Sequence, residues 1–190
     1  MDPFALFQQW FSTAQQDPRL GDASACTLAS ASKEGRPSAR MVLLKEASER
    51  GFVFYTNYGS RKGQELSNNP WAALCFYWWS LGRQVRIEGR VELLSPTESD
   101  AYFASRPRQS QLGAWASPQS QPCTPKLLSR RFAAVSREFA EQKIPRPAFW
   151  GGWRLLAERL EFWQAGEARL HDRQCYERFA TGWRCQQLFP

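Results

Sequence analysis

A β-barrel decorated with helices, built as one domain, is the fold class this sequence predicts, and three observations carry the prediction. From Ala25 onward most of the chain divides into short apolar or alternating runs separated by turn residues. One run alternates between Val85, Ile87, Gly89, Val91 and the charged Arg86, Glu88, Arg90, Glu92, the period of a half-buried strand. Aromatic residues make up 14% of the 190, a load that favours strands over a helical coiled architecture. Strands and helices do not alternate regularly, and neither GxGxxG nor GxxxxGK[ST] occurs, so a doubly wound nucleotide fold is disfavoured.

The elements follow in order. Residues 1–16 read as an amphipathic helix: Asp2 is placed to cap it, Pro3 takes the first helical position, and Phe4, Phe7, Trp10, Phe11 and Ala14 recur at near-helical spacing. Antiparallel strands are predicted over 26–32, 38–45 and 52–58, with turns at 33–36 and 50–51. Ser60 can cap a short helix that Pro70 stops, and two longer strands follow over 71–79 and 84–94. Ser95-Pro-Thr-Glu98 is a capping box that starts a helix to about Ser105. Thr124-Pro125 opens another, with Leu127, Leu128, Phe132, Val135 and Phe139 at core spacing. Strands return over 150–156, 159–164, 175–180 and 182–189, and the Pro- and Gln-rich 117–125 stretch reads as a loop within the single domain 1–190.

Composition narrows the function. The richest apolar stretch, Trp71 to Trp79, has the length of a strand, so no membrane helix is predicted, and the N-terminus lacks the pattern of a secretory leader. Five scattered cysteines, an odd number with no CxxC pair, and a single histidine suit reduced thiols in the cytoplasm and no metal site. Lys and Arg outnumber Asp and Glu by 25 to 18, a formal charge of +7. These cations are dispersed beside Ser, Thr and Gln, which suits the oxygens of a phosphorylated small molecule better than a nucleic acid.

Four polar clusters interrupt the apolar runs: Arg40 to Lys45, Tyr55-Thr56 with Ser60-Arg61-Lys62, Arg83-Gln84, and Arg169 to Arg173. Taken singly, each also reads as solvated surface charge. Arg61 and Lys62 stand at a predicted helix start, where the dipole disfavours cations, and a bound phosphate would resolve that conflict. His171, the sole histidine, lies between Arg169 and Arg173, where a ligand contact and an ordinary surface role compete. There is no GxSxG and no convincing carboxylate pair, so in an enzyme an organic cofactor would supply the reactivity.

Read together, the stretches ARMVLLK, GFVFYTNYGSRKG, RQVRIEGRVE, SDAYFASRPRQSQLGAWASPQSQ, PAFWGGWRL and RLEFWQAGEARLHDR closely resemble the pyridoxine (pyridoxamine) 5′-phosphate oxidases. The resemblance implies an FMN-binding split β-barrel acting as a homodimer, with a C-terminal segment, 150–190, for dimerisation and substrate. It implies FMN held by Arg40, Met41, Val42, Leu43, Leu44, Lys45, Tyr55, Thr56, Arg61, Lys62, Gln84, Gln119, Ser120, Trp163 and Arg173. Substrate would meet Lys45, Tyr102, Arg106, Ser110, Arg169, Leu170 and His171, with Arg169 and His171 nearest the chemistry. The implied reaction oxidises pyridoxine or pyridoxamine 5′-phosphate at C4′ to pyridoxal 5′-phosphate, hydride passing to flavin N5 and O₂ becoming H₂O₂.

Two alternatives compete: a related oxidase of the phenazine-pathway type acting on another substrate, and a non-catalytic carrier of FMN or pyridoxal phosphate. Tyr102, Arg106 and Ser110 weigh against the first, and Arg169 with His171 against the second. Family members usually carry some tens of residues before the DPF segment, whereas here Met1 directly precedes Asp2. The expectation is intact FMN binding with weaker turnover or substrate retention than in a relative with that arm.

Overall fold

The computed structural model describes residues 2–190. Its strands are β1 (Ala25–Ala31), β2 (Pro37–Leu43), β3 (Glu46–Ser48), β4 (Gly51–Asn57), β5 (Trp71–Trp78), β6 (Arg83–Leu93), β7 (Trp150–Gln164), β8 (Asp172–Phe179) and β9 (Gly182–Gln187). They form one antiparallel sheet in the order β2-β1-β5-β6-β7-β4-β3, with β8 added to β7 and β9 to β8.

Strand β7 is where this sheet forks. Its residues 150–155 pair with β4 and its residues 159–164 with β8, while β6 runs along the other edge of both halves. The β6–β7 register slips between Glu88 and Gly89, leaving Glu158 as an extra residue on β7. A Cβ on Gly89 would lie 1.9 Å from the Leu156 carbonyl oxygen, so only glycine lets the two backbones approach at this bulge. At the other end the sheet curls back on itself, because the Lys45 amide just after β2 donates to Val53 of β4 at 2.8 Å.

The inner face packs the fully buried Leu28, Phe52, Phe54, Leu74, Phe76, Val85, Ile87, Leu155 and Leu160. Helix α1 (Pro3–Gln15) closes it, with Asp2 accepting from the Ala5 amide and Phe7 set edge-on to Phe52 and Phe76. Burying a side chain such as Phe7 stabilises the fold by about 2–3 kcal/mol. Helix α2 (Arg61–Asn68) is capped by Ser60, and α3 (Pro96–Ser105) carries the capping box read from the sequence. With α4 (Arg108–Ala116) and the region after α5 (Pro125–Glu138), α3 builds a second, smaller core of Phe103, Leu112, Phe139, Ile144 and Trp150.

Several elements depart from expectation. The two strands predicted over 150–164 are one, because the bulge at Glu158 bends β7 without breaking its pairing. Strand β2 ends at Leu43 rather than 45, since Leu44 turns into the core and its amide donates to Ser24. Helix α4 and the short β3 were not expected. Helix α5 buries none of its residues: Leu127 and Leu128 are exposed, and only Phe132 and Val135 lean on the second core, beside the buried Phe139 that follows the helix. No described helix is long and apolar enough to cross a membrane.

Candidate functional site

Between the β2–β4 side of the barrel and helices α3 and α4 lies a cleft of about 630 Å³. Tyr55 of β4, Tyr102 of α3 and Trp150 of β7 form one aromatic wall, Tyr55 stacking on Tyr102 at 3.8 Å and lying nearly parallel to Trp150 at 5.4 Å. Burial, with Tyr102 close by, pushes the Tyr55 hydroxyl up to about 12, so it stays protonated and able to donate. Met41 and Leu43 of β2 also line the cleft, exposed because alternate β2 side chains point out of the barrel.

The polar lining is cationic. Lys45, Lys62 and Arg106 face the cleft, and no Asp or Glu lines it. Lys62 is buried, and its ammonium donates only to neutral oxygens, Thr56 Oγ1 at 3.1 Å and Gln119 Oε1 at 3.2 Å. Burial, then the nearby charge of Arg40, lowers its affinity for its proton. The neighbouring Ser120 is held in a left-handed conformation, φ 72°, with its hydroxyl accepting from the Arg61 amide.

Arg106 caps the end of α3. Its guanidinium lies 4.5 Å over Trp150, and its Nη1 is buried without a hydrogen-bond partner. Burial depresses its pKa from the ordinary arginine value, although Tyr102 opposes the effect. Gln111 holds this corner by donating to the carbonyls of Phe103, Ala104 and Arg106. An unpaired buried donor is costly, and an anionic ligand would satisfy it. A cation-rich, carboxylate-free cleft with an aromatic wall therefore fits planar phosphorylated molecules, FMN among them.

The expected residues fall into three groups. Met41, Val42, Leu43, Lys45, Tyr55, Thr56, Lys62, Tyr102, Arg106, Ser110 and Gln119 line the cleft. Ser120 adjoins it through Arg61, whereas Arg40 and Arg61 turn toward Glu65, and Leu44 sits in the barrel core. Gln84, Trp163, Arg169, Leu170, His171 and Arg173 are not part of it. Gln84, Trp163 and Arg173 are instead neighbours across β6, β7 and β8, with the His171 ring 4.5 Å from Trp163. Arg173 is held by Glu161: burial opposes ionisation of that carboxyl, but Arg173 and Arg86 outweigh it and keep it below the usual range.

The turn that carries Arg169 is strained, with Ala168 and Arg169 both left-handed at φ 49° and 64°. His171 Nδ1 accepts from the Gly166 amide at 3.2 Å, which leaves Nε2 for a ligand. Ala168→Val is expected to lower stability by about 1–2 kcal/mol, because a branched side chain fits this conformation poorly, while Ala168→Gly should not lower it; thermal melts separate the two. Sequence reasoning assigned no role to Asn57, Gly113, Ala114 or Ser117, which line the cleft, or to Gln111 and Glu65 behind it. All but Glu65 carried a signal, since Asn57 lies in the GFVFYTNYGSRKG stretch and Gln111, Gly113, Ala114 and Ser117 lie in SDAYFASRPRQSQLGAWASPQSQ.

Residues 12–137 match the family model described as pyridoxamine 5′-phosphate oxidase, and residues 150–190 match the pyridoxine 5′-phosphate oxidase C-terminal dimerisation region. The chain is 55% identical over 190 residues to a pyridoxine/pyridoxamine 5′-phosphate oxidase of Rubrobacter xylanophilus, covering 100% of this chain and 87% of the relative. A Myxococcus xanthus enzyme of the same name is 53% identical, with 100% and 92% covered. Among solved structures, PhzG from Burkholderia lata, in complex with tetrahydrophenazine-1-carboxylic acid, superposes with a TM-score of 0.93 at 33% identity, covering 100% of this chain and 93% of that one. A pyridoxamine 5′-phosphate oxidase-related, FMN-binding protein from Nostoc punctiforme shares the fold, with a TM-score of 0.83 at 19% identity and 100% and 99% covered.

Proposed function

The chain belongs to the pyridoxamine 5′-phosphate oxidase family, and from that premise we propose that it oxidises pyridoxine 5′-phosphate or pyridoxamine 5′-phosphate to pyridoxal 5′-phosphate. It is an FMN-dependent oxidoreductase, and its C-terminal region is that of a homodimer. When bound, FMN would supply the two-electron acceptor for oxidation at the substrate C4′, with O₂ as the final acceptor giving H₂O₂.

The protein's own part is binding and orientation. Arg61, Lys62, Thr56, Gln119 and Ser120 would hold the FMN phosphate, with Arg40 as a charge behind them, and Met41, Val42 and Leu43 would meet the rest of the flavin nucleotide. Arg106, Tyr102, Ser110 and Lys45 take the substrate phosphate. The observation that carries this reading is the buried, unpartnered Nη1 of Arg106 in a cleft without acids. Arg169 and His171 act on the ring from the partner subunit, which accounts for their distance from the cleft of their own chain, and the strained turn pre-orients them before substrate arrives. Five free thiols suit a reducing cytoplasm.

The likeness to PhzG favours a second reading, oxidation of an unphosphorylated tricyclic substrate, on the same fold. The phosphate-suited cleft and the full-length relatives above 50% identity favour the first. The test is to purify the protein, record its flavin spectrum, and follow aldehyde and H₂O₂ under air with pyridoxine 5′-phosphate, unphosphorylated pyridoxine and a reduced tricyclic acid. Turnover confined to the phosphorylated pyridine is expected. A yellow protein turning over none of them, or only the tricyclic acid, would overturn the proposal.

A further inference from the structure

We propose that Glu65, which lies outside the cleft, is a positioning residue for the flavin phosphate and sets the preference for FMN over riboflavin. The inference rests on the reading that Arg40, Arg61 and Lys62 serve that phosphate.

Glu65 sits on the buried face of α2, its side chain 8% exposed. Its Oε1 accepts from Arg61 Nε at 2.9 Å, and its Oε2 from Arg40 Nη2 at 3.0 Å, Ser30 Oγ at 2.6 Å and Ser38 Oγ at 2.5 Å. Arg40 engages both terminal nitrogens, donating also to the Leu28 carbonyl and to the same two serine hydroxyls. One carboxylate thus ties β1, β2 and the first turn of α2 into a single polar unit. Burial opposes its ionisation, but the hydrogen bonds from Ser30, Ser38, Arg61 and Arg40 outweigh it and bring its pKa to about 2.

A purely structural ion pair would need one arginine. Here Glu65 gathers two, both beside Lys62, at a helix N-terminus that already favours an anion. Three cations against one carboxylate leave two positive charges, which match the roughly −1.5 to −2 of a phosphate monoester at neutral pH. Arg61 commits Nε to Glu65, and its side chain is otherwise exposed, so its Nη groups stay available to a ligand. Arg40 is fixed as a charge behind the site, close enough to Lys62 to affect its titration.

Glu65→Gln keeps the shape but places amide donors against Arg40, Arg61 and two hydroxyls, so at least one arginine must swing away. The test titrates full-length protein, stripped of flavin, with FMN and separately with riboflavin, following flavin fluorescence. Loss of charge-assisted hydrogen bonding should weaken FMN binding in Glu65→Gln by about 10- to 100-fold and change riboflavin binding by no more than about twofold. Equal weakening of both flavins would mean a merely structural role and would overturn the inference, as would unchanged FMN binding. If wild type itself does not discriminate FMN from riboflavin, the phosphate reading of Arg40, Arg61 and Lys62 fails, and this proposal with it. Should Glu65→Gln not fold, Ser38→Ala removes one donor and keeps both ion pairs, with a smaller loss expected for FMN alone and the same outcomes overturning the inference.

Discussion

Arg106→Ala is expected to raise KM for pyridoxine 5′-phosphate by about 30- to 100-fold, the effect of removing a charge-assisted contact to phosphate, while FMN content stays unchanged. The guanidinium lies over Trp150, with Tyr102 and Ser110 lining the same cleft, whereas Lys62, Thr56 and Gln119 form a separate hydrogen-bonded group. Losing the first group should therefore spare the second. Steady-state kinetics with pyridoxine 5′-phosphate, read beside the flavin absorbance per subunit, checks this. Arg106→Lys should fall between wild type and alanine, since an ammonium keeps the charge but loses the planar stack on Trp150. If flavin is lost while KM holds, the division of the two phosphate sites is wrong.

Gly89→Ala is expected to destabilise the protein by about 3–5 kcal/mol, at the upper end for a single added methyl, because the obstacle is backbone. The new Cβ would meet Leu156 O at 1.9 Å and its carbon at 3.0 Å, and neither can rotate aside. Relief would require separating β6 from β7 where β7 changes partner from β4 to β8, so the fork itself is at stake. Gly113→Ala is the control: it sits inside α4 with nothing within 4 Å of an added Cβ, so it should be neutral or stabilise by up to about 1 kcal/mol. Chemical denaturation of the FMN-loaded protein measures both, and equal stabilities would show that the bulge tolerates a side chain.

Local signals were enough wherever a residue's conformation depends on its near neighbours. Asp2 with Pro3, Ser60, the Ser95–Glu98 box and Thr124 mark helix starts because each side chain hydrogen-bonds an amide three residues on, as the structure has them. Helix α4 has no such cap: Pro107 precedes it without a side-chain hydrogen bond, and it is held by docking Leu112 on the second core and by Gln111 reaching back to α3. Leu127 and Leu128 carry core spacing without burial, because periodicity defines an apolar stripe but not what covers it.

By itself the sequence determined the mainly β character, most strands, the capped helices and, through its motifs, the family and its cofactor. Only the tertiary structure decided which cations lose water: Lys62 and the Nη1 of Arg106 are buried without a carboxylate, Arg40 and Arg61 are bound to Glu65, and Arg173 is bound to Glu161. All five are a single Lys or Arg code in the chain. The β4–β7 pairing brings together Tyr55 and Trp150, 95 positions apart in the chain, and with them the wall of the cleft. Hydrogen-bonded caps and strand periods act over a few residues and can be read in order. Desolvation and charge pairing depend on what the rest of the chain excludes from around a group, and that is set only when distant segments pack.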